Sequence, residues 1–158
     1  MKQIYLRCLL PLLLSCLSFP CAAATISIRI INSKTGQPLQ NQRVAVVLLY
    51  DKGEKIPLGY AASSQLETDA NGEAQLSLPE PPPSHLGITV HLTSEHWHCA
   101  CSDLAETQTV IQNGILVGET DNKLKIGNKI VQAEPGEVIF AARPFTFLEK
   151  LLYPLVKG

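Results

Sequence analysis

Apolar and polar residues alternate along much of the chain, which is the pattern of half-buried β-strands. From Thr25 to Ile31, isoleucines occupy one face, while Ser27 and Arg29 occupy the other. Successive side chains of a strand point to opposite faces, so a period of two predicts a strand with one buried face. The inward positions predicted in this strand and two later ones are Ile26, Ile28, Ile30, Ala74, Leu76, Leu78, Ile88, Val90 and Leu92.

Further strands are predicted between clusters of turn-forming residues. Residues 43–50 are apolar on both faces, which is typical of a central strand of a sandwich. Asn71-Gly72 predicts a hairpin turn, because this dipeptide tolerates positive φ. The other segments expected to be extended are residues 58–67, 73–78, 123–132 and 137–142, with a turn at Pro135-Gly136 before the last. Residues 79–83 contain four prolines and predict a stiff crossover between two sheets.

Two short helices are predicted by capping boxes, in which a residue at the N-cap is followed three positions later by glutamate. Asp103 and Glu106 match the first, with Asn113-Gly114 as its end. Thr146 and Glu149 match the second, and the leucines that follow predict an amphipathic C-terminal helix over about 146–153. This helix is expected to pack across the domain; the alternative is docking to a membrane surface or a partner.

The first 24 residues predict a signal peptide for secretion. Lys2 and Arg7 give a positive start, residues 8–17 are apolar, and the alanines at 22–24 provide a cleavage site before Thr25. The apolar run is shorter than the roughly 20 residues that cross a bilayer. We therefore expect a cleaved leader, with no transmembrane segment after its removal.

A lipid anchor is the alternative to cleavage before Thr25. Leu13-Leu14-Ser15-Cys16 resembles a lipobox, in which Cys16 carries the lipid. In both cases we expect residues 25–158 to form a single mainly β domain that is secreted or periplasmic, and long enough to bury its own core.

Net charge limits the classes of partner that the mature chain can bind, and the cysteine count indicates the chemistry of its compartment. Loss of Lys2 and Arg7 with the leader leaves 11 basic residues against 14 acidic ones, a formal net charge of −3. Nucleic-acid binding requires a basic surface, so no nucleic-acid partner is expected. The expected partner is a protein or carbohydrate of the cell envelope. Cys99 and Cys101 remain as an even pair in an oxidising compartment.

Two stretches of sequence resemble a known family of modules. They are residues 30–46, with Thr-Gly-Gln-Pro-Leu at 35–39, and residues 68–79, Thr-Asp-Ala-Asn-Gly-Glu-Ala-Gln-Leu-Ser-Leu-Pro. Together they resemble carboxypeptidase regulatory-like modules, which belong with prealbumin-like (transthyretin-like) and related bacterial immunoglobulin-like sandwiches. The resemblance covers residues 25–93. It implies an antiparallel Greek-key sandwich that serves as a structural, docking or binding unit, with no catalytic residues to carry over.

His96-Trp97-His98-Cys99-Ala100-Cys101 is the densest group of metal-ligand residue types in the chain. Imidazole and thiolate together suit zinc or copper, so His96, His98, Cys99 and Cys101 are candidate ligands. In a strand, however, the two histidines would share one face and the two cysteines the other. Four ligands on one ion would therefore require a loop.

Other interpretations of this segment compete with metal binding. An exported pair of cysteines favours a disulfide between Cys99 and Cys101, although residues two apart in a strand lie near the upper limit of disulfide reach. Trp97 is expected in the core or over an edge of the sandwich, with ligand stacking as the alternative. His85 and His91 are expected at the surface.

Function follows only coarsely from these patterns. No nucleophile with a base and an orienting acid is recognisable, so no catalytic residue is predicted and no enzymatic activity is expected. The sequence favours a non-catalytic secreted or envelope-associated binding or structural module of unknown ligand. The alternatives are a zinc or copper protein that uses residues 96–101, and a hydrolase with an unrecognised site.

Overall fold

The computed structural model describes residues 24–50, 63–93, 97–99, 101–118, 122–147 and 149–150, which are mainly β-structure. The strands are β1 (Thr25–Asn32), β2 (Arg43–Leu49), β3 (Ser63–Glu67), β4 (Glu73–Ser77), β5 (His85–His91), β6 (Trp97–His98), β7 (Ser102–Glu106), β8 (Ile115–Val117), β9 (Lys123–Ile126), β10 (Lys129–Gln132) and β11 (Glu137–Pro144). A short helix, α1 (Thr107–Asn113), lies between β7 and β8. The predicted signal peptide, apart from Ala24, falls outside the described residues.

Two sheets pack around one main core. The first has the order β4-β1-β11. The other side of β11 pairs with β8 along residues 138–140 and with β6 at residues 143–144. The second has the order β3-β2-β5-β7. Buried side chains of both sheets belong to one apolar cluster, as in a β-sandwich, and Phe140 is the largest that is fully buried. Each fully buried valine, leucine or isoleucine contributes about 1.5–3 kcal/mol.

The predicted inward faces are confirmed. Eight of the nine positions are buried, and the ninth, Leu92, packs against the same cluster while partly exposed. β2 lies between β3 and β5, which confirms a central strand at residues 43–49. The proline-rich segment joins β4 of one sheet to β5 of the other, so the predicted crossover is also confirmed.

The expected antiparallel pairing is confirmed for most strand pairs and is wrong for two pairs that involve β11. β11 runs parallel to both β1 and β8, while the pairs within the second sheet are antiparallel. β1 and β11 are separated by most of the domain, so no hairpin fixes their relative direction. The strand order also differs from that of immunoglobulin constant domains, whose first two strands share a sheet; here β1 and β2 lie in opposite sheets.

Asn71-Gly72 lies in a tight turn, but the predicted hairpin is wrong. Gly72 has a φ of +71°, and its N–H donates to the carbonyl of Asp69. The strands on either side belong to different sheets, since β3 pairs with β2 and β4 pairs with β1. The turn is therefore a corner between the sheets of the sandwich.

The first predicted helix begins later than expected. Asp103 and Glu106 lie in β7, where pairing with β5 and burial of Ala105 outweigh the local capping signal. Leu104 is exposed on β7. The end at Gly114 is confirmed, with a φ of +66°.

A hairpin covers the outer surface of the first sheet. Residues 123–132, expected to form one strand, instead form β9 and β10 around Gly127. Leu124, Ile126 and Val131 of this hairpin pack on a second buried cluster formed by Ile31, Leu116, Ala133 and Ile139. The first sheet therefore has apolar packing on both faces.

The second capping box is confirmed. The N–H of Thr146 donates to Glu149 Oε2 at 2.6 Å, and the N–H of Glu149 approaches Thr146 Oγ1 at 3.4 Å. The leucines of the predicted C-terminal helix lie outside the described residues. Within the part of the chain that is described, no helix has the length and apolar character needed to cross a membrane.

Candidate functional site

The two stretches of the family resemblance pack against each other at one corner of the sandwich. The Thr68 side chain, 2% exposed, donates to the carbonyl of Leu39 at 2.8 Å and accepts from the N–H of Gln42 at 3.0 Å. The Gln40 side chain donates to the carbonyl of Ala70 at 3.0 Å. These contacts join residues that are about 30 positions apart in sequence, so the two stretches form one corner of the fold.

Gly72 is required at this corner for space as well as for conformation. A Cβ atom there would lie 2.8 Å from the carbonyl oxygen of Ile30 and 2.9 Å from Pro38 Cβ. The Asp69 carboxylate accepts from the N–H groups of Asn71 and Glu73, at 2.8 and 3.0 Å. The pKa of Asp69 is lowered mainly by the hydrogen bond from the N–H of Glu73, and further by the bond from the N–H of Asn71. The carboxylate therefore stays charged while it stabilises the turn.

The outer face of the second sheet carries a groove of about 490 Å³. We define the outer-face groove by five side chains that point away from the main core: Arg43, Ala45, Gln65, Glu67 and His91. Strand register places Arg43 of β2 directly between Glu67 of β3 and His91 of β5. In the next row, Ala45 lies beside Gln65.

Side-chain size explains the shape of this groove. Ala45 is the short residue at its floor, and the adjoining pair Thr89 and Ser102, with hydroxyl oxygens 3.3 Å apart, is also small. Arg43 and Glu67 are long and carry a hydrogen-bond donor and an acceptor, respectively, at the sides of the groove. A polar ligand on this open groove could therefore form several hydrogen bonds with its side chains.

A second group of side chains, mostly polar, lies where β6 pairs with the end of β11. We call it the His98 cluster, and it consists of His98, Arg143, Phe145, Thr146 and Glu149. Glu149 accepts two bonds from the Arg143 guanidinium, at 2.7 and 2.9 Å. His98 Nε2 lies 3.2 Å from Glu149 Oε1, and the His98 ring is 4.3 Å from the ring of Phe145.

Electrostatics favour the charged form of Glu149. The bonds from Arg143, followed by the N–H of Thr146, hold the pKa of Glu149 well below its usual range. Hydrogen bonding to Glu149 in turn raises the pKa of Arg143. A carboxylate already saturated by a bidentate guanidinium is a poor general base, so this cluster is suited to holding the C-terminal segment against β6.

The segment predicted to bind metal is divided between two environments. His98 is exposed in the His98 cluster, whereas Cys99 and Cys101 are half-buried and pack against the main core. Opposite orientation of His98 and Cys99 is what the alternation of a strand predicts. His96 lies outside the described residues, and among those that are described no three His, Cys, Asp or Glu side chains gather closely enough to hold a metal ion. Zinc or copper binding by residues 96–101 stays a prediction.

The other candidate residues have the following positions. Trp97 is half-buried on β6, opposite Pro144, and ligand stacking by this side chain stays a prediction. His91 is exposed, as expected, and lines the outer-face groove, whereas His85 is half-buried in β5. Arg43, Gln65 and Glu67 were not among the sequence candidates. The signal that could have found them is their position at alternate, outward-facing sites of neighbouring strands.

Comparison with known proteins adds no relative to this description. Scans against protein-family models, curated proteins and solved structures each found no match.

Proposed function

We propose that the exported chain is a non-catalytic binding module that recognises a protein or carbohydrate of the cell envelope through the outer-face groove. The observation that carries this proposal is the convergence of Arg43, Gln65, Glu67 and His91 on one exposed sheet face, around a floor at Ala45. These side chains offer both donors and acceptors at fixed strand spacing, which suits hydroxyl or peptide groups.

The rest of the sandwich supports the same interpretation. The opposite sheet is covered on its outside by the β9–β10 hairpin. The second sheet, in contrast, presents the exposed side chains of Arg43, Gln65, Glu67 and His91 to solvent. A rigid sheet positions such groups more accurately than a loop, which favours a site on this face.

We also propose that the domain belongs with the carboxypeptidase regulatory-like, prealbumin-like sandwiches, which the resemblance describes as Greek-key, immunoglobulin-like folds. The support is the corner at which Thr68 bonds Leu39 and Gln42 and at which Gly72 packs on Pro38. The residues that carry the resemblance are thus the residues that join β1, β2 and β4. Modules of this kind commonly serve as docking units, in agreement with the binding proposal.

The binding proposal is tested by affinity capture with a matched pair of variants. Gln65 lies in the outer-face groove, whereas Gln75 is an exposed glutamine on β4 of the other sheet. The wild-type exported chain is immobilised and exposed to solubilised envelope material, and the captured component is then titrated against Gln65→Ala, Arg43→Ala and Gln75→Ala.

We expect Arg43→Ala to weaken binding about tenfold or more, because a charge-assisted hydrogen bond is worth about 1.5–3 kcal/mol. Gln65→Ala should weaken it by a smaller factor, and Gln75→Ala should bind as wild type does. Equal affinity for all variants would contradict the assignment of the groove. Chemical turnover of the captured component by the pure protein would contradict the non-catalytic character.

A further inference from the structure

The segment that contains Cys99 and Cys101 is a crossover between the two sheets. Trp97 and His98 pair with β11 in the first sheet, whereas Ser102 begins β7, which pairs with β5 in the second. The carbonyl of Cys101 accepts from the N–H of Val90 at 2.7 Å, so the chain has already joined the second sheet at that residue. Residues 99–101 therefore complete the passage from one sheet to the other.

Cys99 and Cys101 lie in this crossover, outside the paired residues of β6 and β7. An extended strand separates residues two apart by about 6.6–6.8 Å, at the upper end of the Cα separations that disulfides bridge. Both cysteine side chains are half-buried and pack against the main core. Two thiols that are two residues apart therefore face the same core where the chain passes between the sheets.

We propose that Cys99 and Cys101 form a reversible dithiol–disulfide pair, oxidised by exchange with a disulfide-bearing oxidant of the export compartment. One thiolate attacks the oxidant disulfide and releases one thiol of the oxidant. The second cysteine then loses its proton and attacks the mixed disulfide, which releases the other thiol. Two electrons and two protons pass to the oxidant, and one S–S bond forms within the chain.

The local setting makes this pair labile instead of a permanent structural link. A disulfide across one intervening residue closes a very small ring, and strained disulfides have higher reduction potentials than structural ones.

This inference does not depend on the proposed binding function. The two cysteines face the main core, while the outer-face groove lies on the far surface of the second sheet. Trp97, the only tryptophan in the sequence, lies two residues before Cys99 and provides an intrinsic fluorescent probe. The tryptic peptide from residue 56 to Lys123 contains Cys99 and Cys101 and no other cysteine, so the pair is scored separately from the cysteines of the leader.

The test is thiol trapping of the exported protein after equilibration with oxidised and then reduced glutathione. We expect the 56–123 peptide to lack two hydrogens and to resist alkylation after oxidation, and to accept two alkyl groups after reduction by glutathione alone. Trp97 emission should change with each step, and the Cys99→Ala/Cys101→Ala chain should show no change.

Three results would overturn the proposal. Two alkylated thiols after oxidation would show that no bond forms. A disulfide between chains, or a persistent glutathione adduct on the wild type, would show that the second cysteine does not resolve the first bond. An internal disulfide that glutathione fails to reduce would show an inert structural link.

Discussion

At the scale of single residues, Thr68 joins two segments of the chain that are distant in sequence. Its hydroxyl donates to the carbonyl of Leu39 and accepts from the N–H of Gln42, while the side chain is 2% exposed. Valine has the same shape and can make neither bond. The buried N–H of Gln42 would then lose its partner, which costs about 1–3 kcal/mol.

Thr68→Val is therefore expected to lower the free energy of unfolding by about 1–3 kcal/mol, measured by urea denaturation. Thr89→Val is the matched control, since Thr89 lies on the outer face of β5 with a hydroxyl 3.3 Å from that of Ser102. Its effect should remain within about 0.5 kcal/mol. Equal losses in both variants would contradict the role given to the Thr68 hydroxyl.

Glu149 links the C-terminal segment to β11 and β6. Because Arg143 lowers its pKa in the folded state, the stabilising contribution is complete above the ordinary glutamate pKa of about 4.3 and is lost as the pH falls below it. The amide of Lys150, which donates to the carbonyl of Thr146 at 3.0 Å, reports on this segment.

We expect the hydrogen-exchange protection of Lys150 to fall when the pH is lowered from 7 to 3. Glu149→Gln should reduce protection at pH 7 and remove most of the pH dependence. Glu134→Gln, a change at an exposed residue of the turn before β11, should behave as the wild type does. Protection that is independent of pH in the wild type would contradict a charged Glu149 as the link.

At the scale of elements, the β9–β10 hairpin offers a matched pair of isoleucines. Ile126 packs on the second buried cluster, whereas Ile130 points away from it and is 68% exposed. Ile126→Ala should lower the free energy of unfolding by about 1–2 kcal/mol, somewhat less than a fully buried isoleucine would. Ile130→Ala should change it by less than about 0.5 kcal/mol. Thermal or urea unfolding measures both, and the reverse order would contradict the packing of the hairpin.

The presence of the main strands, and which of their side chains face the core, could be predicted from the sequence because both depend on local alternation. Ile26, Ile28 and Ile30 needed only a period of two, and the Thr146–Glu149 capping box needed only a spacing of three. The prediction of a helix start at Asp103 was wrong because a capping pattern depends on local sequence alone. It does not include pairing with β5, which extends through Glu106. β8 was missed because three residues are too short for a periodic signal.

At the scale of the whole molecule, the assignment of strands to sheets was not predictable. The same Asn71-Gly72 signal fits a hairpin and a corner, and the corner follows from the pairing of β3 with β2 and of β4 with β1. The parallel pairing of β1 with β11 likewise depends on residues more than 100 positions apart. The outer-face groove is lined by residues of β2, β3 and β5. Their proximity depends on the order of these strands, which the sequence does not reveal.

The account depends on recognition by the outer face of the second sheet. Site-specific photo-crosslinking during expression in an exporting cell tests this most directly, with the photoreactive residue placed at position 65 in one strain and at position 75 in another. We predict a discrete crosslinked envelope component from position 65 and none from position 75. The same crosslinked product from both positions, or a product from position 75 alone, would contradict the account.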